Sequence, residues 1–345
     1  MPDTSRTNDA EREAEIASAH RLMDLVLGMW WSRAVYVAAD LRLADYLADG
    51  AKDVETLARL THTHAPSLYR LLRFLTGMGV FAEREPGVFS QSPLSALLRS
   101  DLATSVRDDV LLQGDDWHWQ AWGALGHTVR TGEPAIDHLF GEDLFGYFAH
   151  QNPEAGRLFH RTLSSERHES VLEAYDFSVT DLVVDVGGGQ GTLLSALLET
   201  YPAVHGILFD RPEVIDALGA RKTEMGLNER VALISGDFFS SVPPADVYLL
   251  RNIIHDWSDD EAATILTACR AAMNEGGRIL VIEQIVPEWD SWSSIKFGDL
   301  EMMVLIHGRE RTASEFRSLF QTVGLRLDRI IPTSSELRIL EGLPS

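Results

Sequence analysis

The spacing of apolar residues changes character about halfway along the chain. From about residue 13 to about 175 they recur at intervals of three and four, the period of helices with one buried face. After about 176, short β-branched runs alternate with helical stretches, as in a parallel sheet covered on both faces. Residues 1–12 read as a solvated tail. Helices are expected near 18–31 and 32–49; their Leu, Met, Trp and Val residues exceed what one domain face can bury, so a partner chain is expected over them. A helix from Asp53, another from Pro66, and short strands on either side of Glu85-Pro86-Gly87 make a winged-helix pattern. The expected organisation is a mainly α domain with dimerisation helices and a winged helix (13–105), a helical connector (106–175), and a doubly wound α/β domain (176–345). Its strands are expected at Leu182–Val186, His205–Asp210, Val231–Ser235, Asp246–Arg251 and Gly277–Glu283, mostly parallel, closed by an antiparallel hairpin at about Leu325–Pro332 and Glu336–Leu340.

Composition narrows the partners. The 345 residues carry 30 basic against 52 acidic side chains, a formal charge of −22, which argues against a nucleic-acid backbone or an anionic membrane as partner. The winged segment is no exception: residues 40–100 hold seven Lys/Arg and seven Asp/Glu, whereas a DNA-reading wing is basic. The single cysteine, Cys269, lies in an apolar helical pattern and reads as core. The apolar stretch from Leu22 to Leu47 is interrupted by Asp24, Arg33 and Asp40, and no secretory signal is visible, so a cytoplasmic location is expected. The twelve histidines show no ligand spacing with carboxylates, His62 and His64 fall in a turn, and no metal site is expected.

The candidate chemistry gathers at the carboxyl ends of the expected strands, where open α/β sheets bind ligands. The first strand runs into Asp185-Val186-Gly187-Gly188-Gly189-Gln190-Gly191. This is GxGxG, without the later glycine that a dinucleotide fingerprint requires at position 192. With Asp185 before it, the loop suits a nucleoside cofactor lacking phosphates, above all S-adenosylmethionine. Asp210 ends the second strand, placed for the hydroxyls of a ribose. Asp237 and Phe238 end the third, placed for the amino group and face of an adenine. A capping box, Ser258 to Glu261, starts the helix after the fourth strand and leaves His255 in the preceding loop, a candidate general base. Glu283 ends the fifth strand, and Glu310 precedes a second capping box, Thr312 to Glu315.

The runs DVGGGQG, FDRP, GDFF, HDW-SD, IEQIVP and GRERT, in this order over about residues 181–320, resemble the plant-type small-molecule O-methyltransferases. They equally resemble that family's bacterial relatives that modify aromatic antibiotics and other secondary metabolites. The resemblance implies a Rossmann-like class I methyltransferase domain, a homodimer, S-adenosylmethionine as methyl donor and a small hydroxylated aromatic acceptor. It implies that Asp185, Gly187 and Gly189 shape the cofactor pocket, that Asp210 holds the ribose, and that Asp237 and Phe238 hold the adenine. His255 matches the family's base, flanked by Glu283 and Glu310; Met303 and Asp256 fall beside the acceptor, to whose pocket the connector contributes. Arg251 departs from the lysine common in plant members near the adenine. Trp30, Trp117, Trp119, Trp122, Phe145, Met302 and Met303 could line a flat apolar pocket. Two other readings compete: the same fold turned to hydroxylation or other non-methylating chemistry, and a winged-helix regulator sensing a metabolite.

Overall fold

The computed structural model describes residues 4–164, 168–219, 230–289 and 291–345, and the chain divides between Gln120 and Ala121 into two compact units. In the first unit a single helix, Thr4–Asp40, replaces the two expected near 18–31 and 32–49. It contains no proline and one glycine, Gly28, so its hydrogen-bond ladder runs on until Arg42 turns the backbone left-handed at φ +54°. The tail expected over 1–12 lies outside the described residues at 1–3 and is otherwise part of this helix. Along it Leu22, Met23, Leu25, Val26, Met29 and Trp30 remain exposed. The winged-helix expectation holds. Helices Val54–Thr61 and Ala65–Gly77 pack with strands β1 (Lys52–Asp53), β2 (Phe81–Glu85) and β3 (Val88–Gln91) around Leu57, Leu68, Leu72, Leu75, Phe81 and Phe89. Asp53 caps the first of these helices by accepting from the Thr56 N–H.

The second unit is built on seven strands: β4 (Leu182–Val186), β5 (His205–Asp210), β6 (Val231–Ser235), β7 (Ala245–Arg251), β8 (Met273–Glu283), β9 (Leu325–Pro332) and β10 (Arg338–Pro344). Their order is β6-β5-β4-β7-β8-β10-β9; β4 to β8 are parallel to one another, and β10 runs antiparallel to both β8 and β9. Boundaries move in three strands: β7 starts one residue before the expected Asp246, β8 starts four before the expected Gly277, and the last strand sits at Arg338–Pro344 rather than 336–340. Alternate residues feed the two faces: Val184 and Val186 join a core with Ile265 and Phe316, while Val183 joins one with Leu197 and Ile282. Cys269 is fully buried in the first of these cores, where burial pushes its thiol up to about 12. Strand order reverses between β4 and β7, so the loops after these two strands flank one crevice.

Candidate active site

The loop after β4 depends on glycine at two positions. Gly187 holds φ +67°, and a Cβ there would stand 2.5 Å from Ile253 Cδ1, in the loop after β7. A Cβ on Gly188 would meet Leu208 at 2.4 Å and the Asp185 carboxylate at 2.7 Å. The loop is tied to the next strand by Asp210, which accepts from the Gly189 N–H (2.9 Å) and from the Arg211 N–H (2.7 Å). Asp185 is buried beneath, on the face opposite Val184, and its Oδ2 has no partner among the described residues. Burial, opposed by the Arg251 charge and assisted by Asp210, raises this carboxyl to about 7. A buried orphan oxygen under a glycine cradle, with a second carboxylate and an arginine beside it, fits a ligand carrying both an ammonium and a carboxylate.

On the other side of the crevice, His255 sits in a short 3-10 turn, Ile254–Asp256, between β7 and the helix Asp259–Ala272. Both capping boxes form as expected and fix where the two flanking helices begin. Glu283, at the end of β8 and fully buried, accepts from the backbone N–H of His255 (3.0 Å). Glu310 Oε1 lies 2.8 Å from His255 Nδ1, and Asp256 Oδ1 lies 3.4 Å from Nε2. The three acids decide the imidazole's charge. Burial works against a cation, yet Asp256, Glu310 and Glu283 push His255 up to about 10. The imidazole is therefore held as a cation at neutral pH, although an unperturbed histidine is largely neutral there. Burial in turn raises Glu283 to about 7, and the second oxygens of Glu283 and Glu310 are buried without partners among the described residues.

The residues around Glu310 complete the clamp. Arg309, on one side of Glu310, pairs with Asp259 and Glu315; Arg311, on the other, is fully buried and pairs with Asp259, so neither is the ion partner of Glu310. Arg311 donates to the carbonyls of Ile254 (2.9 Å) and Trp257 (2.8 Å), gripping the His255 turn from both ends. The His255 carbonyl accepts from the Arg309 N–H (2.8 Å), and Gly308 lies so close beneath it that a Cβ would stand 2.2 Å from that oxygen. Asp299, on the helix Ile295–Leu305, accepts from the Glu310 N–H (2.9 Å). Sequence reasoning missed Arg311, Asp299 and Gly308 as parts of this site; the glycine directly before an Arg-Glu-Arg run was the available signal.

The remaining expected residues fall as follows. Asp237 is exposed and bonds within its own turn, to the Phe239 N–H and the Ser240 hydroxyl. Phe238 is half-buried, edge-on to Trp257, near the position a Cβ of Gly187 would take. Arg251 donates to Nδ1 of His168 (2.9 Å), which burial and this guanidinium lower to about 4, so the imidazole is a neutral acceptor; this pairing was not anticipated. Met303 is half-buried on the Ile295–Leu305 helix, where Phe297 stacks on Trp122 (5.2 Å, 7°) and Glu301 accepts from the Trp122 indole (2.6 Å).

A mostly parallel sheet with a glycine cradle at its switch point, and an acid-flanked histidine across the crevice, defines a nucleoside-cofactor transferase. Residues 122–326 match the O-methyltransferase domain family and residues 23–101 its dimerisation domain. The chain is 42% identical to the phenazine O-methyltransferase PhzM of Lysobacter antibioticus over 94% of its own length and 95% of that protein's. It superposes on the mitomycin 7-O-methyltransferase MmcR with a TM-score of 0.90, at 37% identity, covering 97% of this chain and 100% of that one. It also matches NcsB1 of neocarzinostatin biosynthesis, solved with S-adenosylmethionine and 2-hydroxy-5-methyl naphthoic acid, at 31% identity and TM-score 0.80 over 91% and 96% of the two chains. Some relatives are N-methyltransferases. The chain belongs to the S-adenosylmethionine-dependent O-methyltransferase family, and it is an enzyme that uses that cofactor. No helix among the described residues is long and apolar enough to cross a membrane.

Proposed function

We propose that this enzyme methylates a hydroxyl, phenolic in character, on a planar aromatic secondary metabolite, with His255 taking the hydroxyl proton. The observation that carries this reading is the 2.8 Å contact of His255 Nδ1 with Glu310 and the opposite placement of Nε2 beside Asp256. Nδ1 is thereby held by a buried acid, and Nε2, with the Asp256 carboxylate 3.4 Å away, is the nitrogen assigned to the acceptor hydroxyl. When bound, S-adenosylmethionine supplies an electrophilic methyl group on a sulfonium centre. Asp185, Gly187, Gly189, Asp210, Asp237, Phe238 and Arg251 are the residues assigned to hold it. The chain's own task is to orient the acceptor and move one proton.

Matching explains how a histidine pushed up to about 10 serves as that base. An ordinary phenol also has a pKa near 10, so transfer from hydroxyl to imidazole is close to balanced, and the resulting imidazolium is held by Glu310, Asp256 and Glu283. An imidazolium beside a phenolate is the same arrangement that an already ionised acceptor would bind into. Trp122, Phe297, Met302 and Met303 supply a flat, soft wall suited to a fused-ring acceptor. The phenazine, mitomycin and naphthoate chemistry of the relatives supports that class, and the dimerisation domain with its exposed apolar helix supports a homodimer.

The test is mass spectrometry of enzyme incubated with S-adenosylmethionine and a panel of hydroxyphenazines, hydroxyquinones and hydroxynaphthoates. A product heavier by a methyl group, attached at oxygen, is expected. Its rate should fall by about 10²- to 10⁴-fold in His255→Ala, with cofactor affinity preserved. A product carrying added oxygen, or methylation on nitrogen alone, would overturn the reading.

A further inference from the structure

Helices Leu125–Thr131 and Ala135–Phe140 form a short hairpin that brings together three side chains, one from each helix and one from the turn between them. His127, Glu133 and His138 each offer one donor atom, and the three atoms lie within 4.8 Å of one another. His127 Nε2 stands 2.9 Å from Glu133 Oε2, and the His127 and His138 rings stack at 3.8 Å, 11° from parallel. We propose that His127, Glu133 and His138 bind a divalent transition-metal ion of the zinc type.

Donor chemistry selects the ion. Two imidazole nitrogens and one carboxylate oxygen suit zinc, nickel or cobalt, whereas magnesium and calcium take oxygen alone. Three protein ligands leave a coordination position for water. Donors around tetrahedral zinc stand roughly 3.3 Å apart, because each bond is about 2.0–2.1 Å long. The His127–Glu133 pair is already near that spacing, and His138, exposed and outside the core, must turn off the stack by on the order of 1 Å.

The backbone beneath is set in advance. Gly132 ends the first helix with φ +76°, its N–H donating to the Thr128 carbonyl (2.8 Å). The Thr131 hydroxyl donates to the His127 carbonyl (3.0 Å) and accepts from the Glu133 N–H (3.1 Å), and Pro134 starts the second helix. Two ligand-bearing residues are thus fixed through one threonine, which leaves little ordering for the ion to impose. Asp137, one residue before His138, pairs with His307 (3.4 Å) and adds negative charge nearby. An ion held here would staple the two helices of the hairpin.

The experiment is calorimetric titration of tag-free, full-length enzyme with zinc chloride, in parallel with magnesium chloride, on wild type, Glu133→Gln and the double variant His127→Ala/His138→Ala. All three positions are solvent-accessible, so the variants keep the core. Wild type should bind one zinc per chain in the micromolar range and gain thermal stability from it, with no response to magnesium. Affinity should fall about tenfold or more in Glu133→Gln and at least a hundredfold in the double variant. Absence of zinc binding below millimolar concentration, or the same stoichiometry and affinity in the double variant, would overturn the proposal.

Discussion

The two loops that face each other across the crevice are stabilised by opposite means. The loop after β4 is shaped by what is missing: Gly187 and Gly188 have no Cβ where Ile253, Leu208 and Asp185 already stand, and Asp210 ties the loop down through the Gly189 N–H. The turn after β7 is held by what is added, with Glu283 on its N–H, Arg311 on two of its carbonyls and Glu310 on its imidazole. A cofactor cradle needs backbone close to its ligand, which small residues permit. A proton-handling side chain needs a fixed position and a set charge, which only surrounding partners impose. Damage to the first loop should therefore appear in cofactor affinity, and damage to the second in turnover.

The sharpest way to break that contrast is a pair of glycine substitutions. Gly308→Ala puts a methyl 2.2 Å from the His255 carbonyl oxygen, so backbone must shift to admit it, and should lower kcat by at least about 10²-fold, because misplacement by about 1 Å costs that much. Gly187→Ala combines φ +67° with the Ile253 collision and should act chiefly on cofactor affinity, with about 1–3 kcal/mol of local strain. Steady-state kinetics beside cofactor titration separates the two; equal loss of both quantities in both variants would erase the distinction.

Stability gives the next effect. Arg311→Met leaves the Ile254 and Trp257 carbonyls without their donor and should cost about 2–4 kcal/mol in denaturant unfolding, with kcat falling further than cofactor affinity. Asp185→Asn should do the reverse. The folded protein raises this carboxyl from its ordinary value to about 7, so the native state holds its proton more tightly, and stability from this group falls as pH rises between about 4 and 7. The variant should lack that fall, melting higher than wild type at pH 8 without cofactor while binding cofactor more weakly. A lower melting temperature at pH 8 would contradict the assignment.

The cradle was legible in the sequence because everything that makes it lies within a few residues of one strand end. Strands β4 to β7, both capping boxes and the winged helix were readable for the same reason: their signals are local spacing and turn chemistry. What escaped depends on long-range neighbours. The uninterrupted Thr4–Asp40 helix follows from the absence of a breaker rather than from any positive signal. Arg311 matters because the chain brings it beneath Ile254, and the charge of His255 is set by the adjacent Asp256 together with Glu310 and Glu283, which lie 55 and 28 residues away. His127, Glu133 and His138 meet only because Gly132 and Pro134 fold one helix back beside the next.

Buried acids, Glu310 among them, hold the proton of His255 and so set when it acts as a base. The direct measurement is the pH dependence of kcat/KM for wild type and Glu310→Gln with one acceptor, so that the acceptor's own ionisation is common to both. Because His255 is raised to about 10, wild-type kcat/KM should climb with pH well above 7. Removing the Glu310 charge lowers the imidazole's proton affinity, so the climb in Glu310→Gln should move to lower pH. A limb at the same pH in both enzymes would contradict the account.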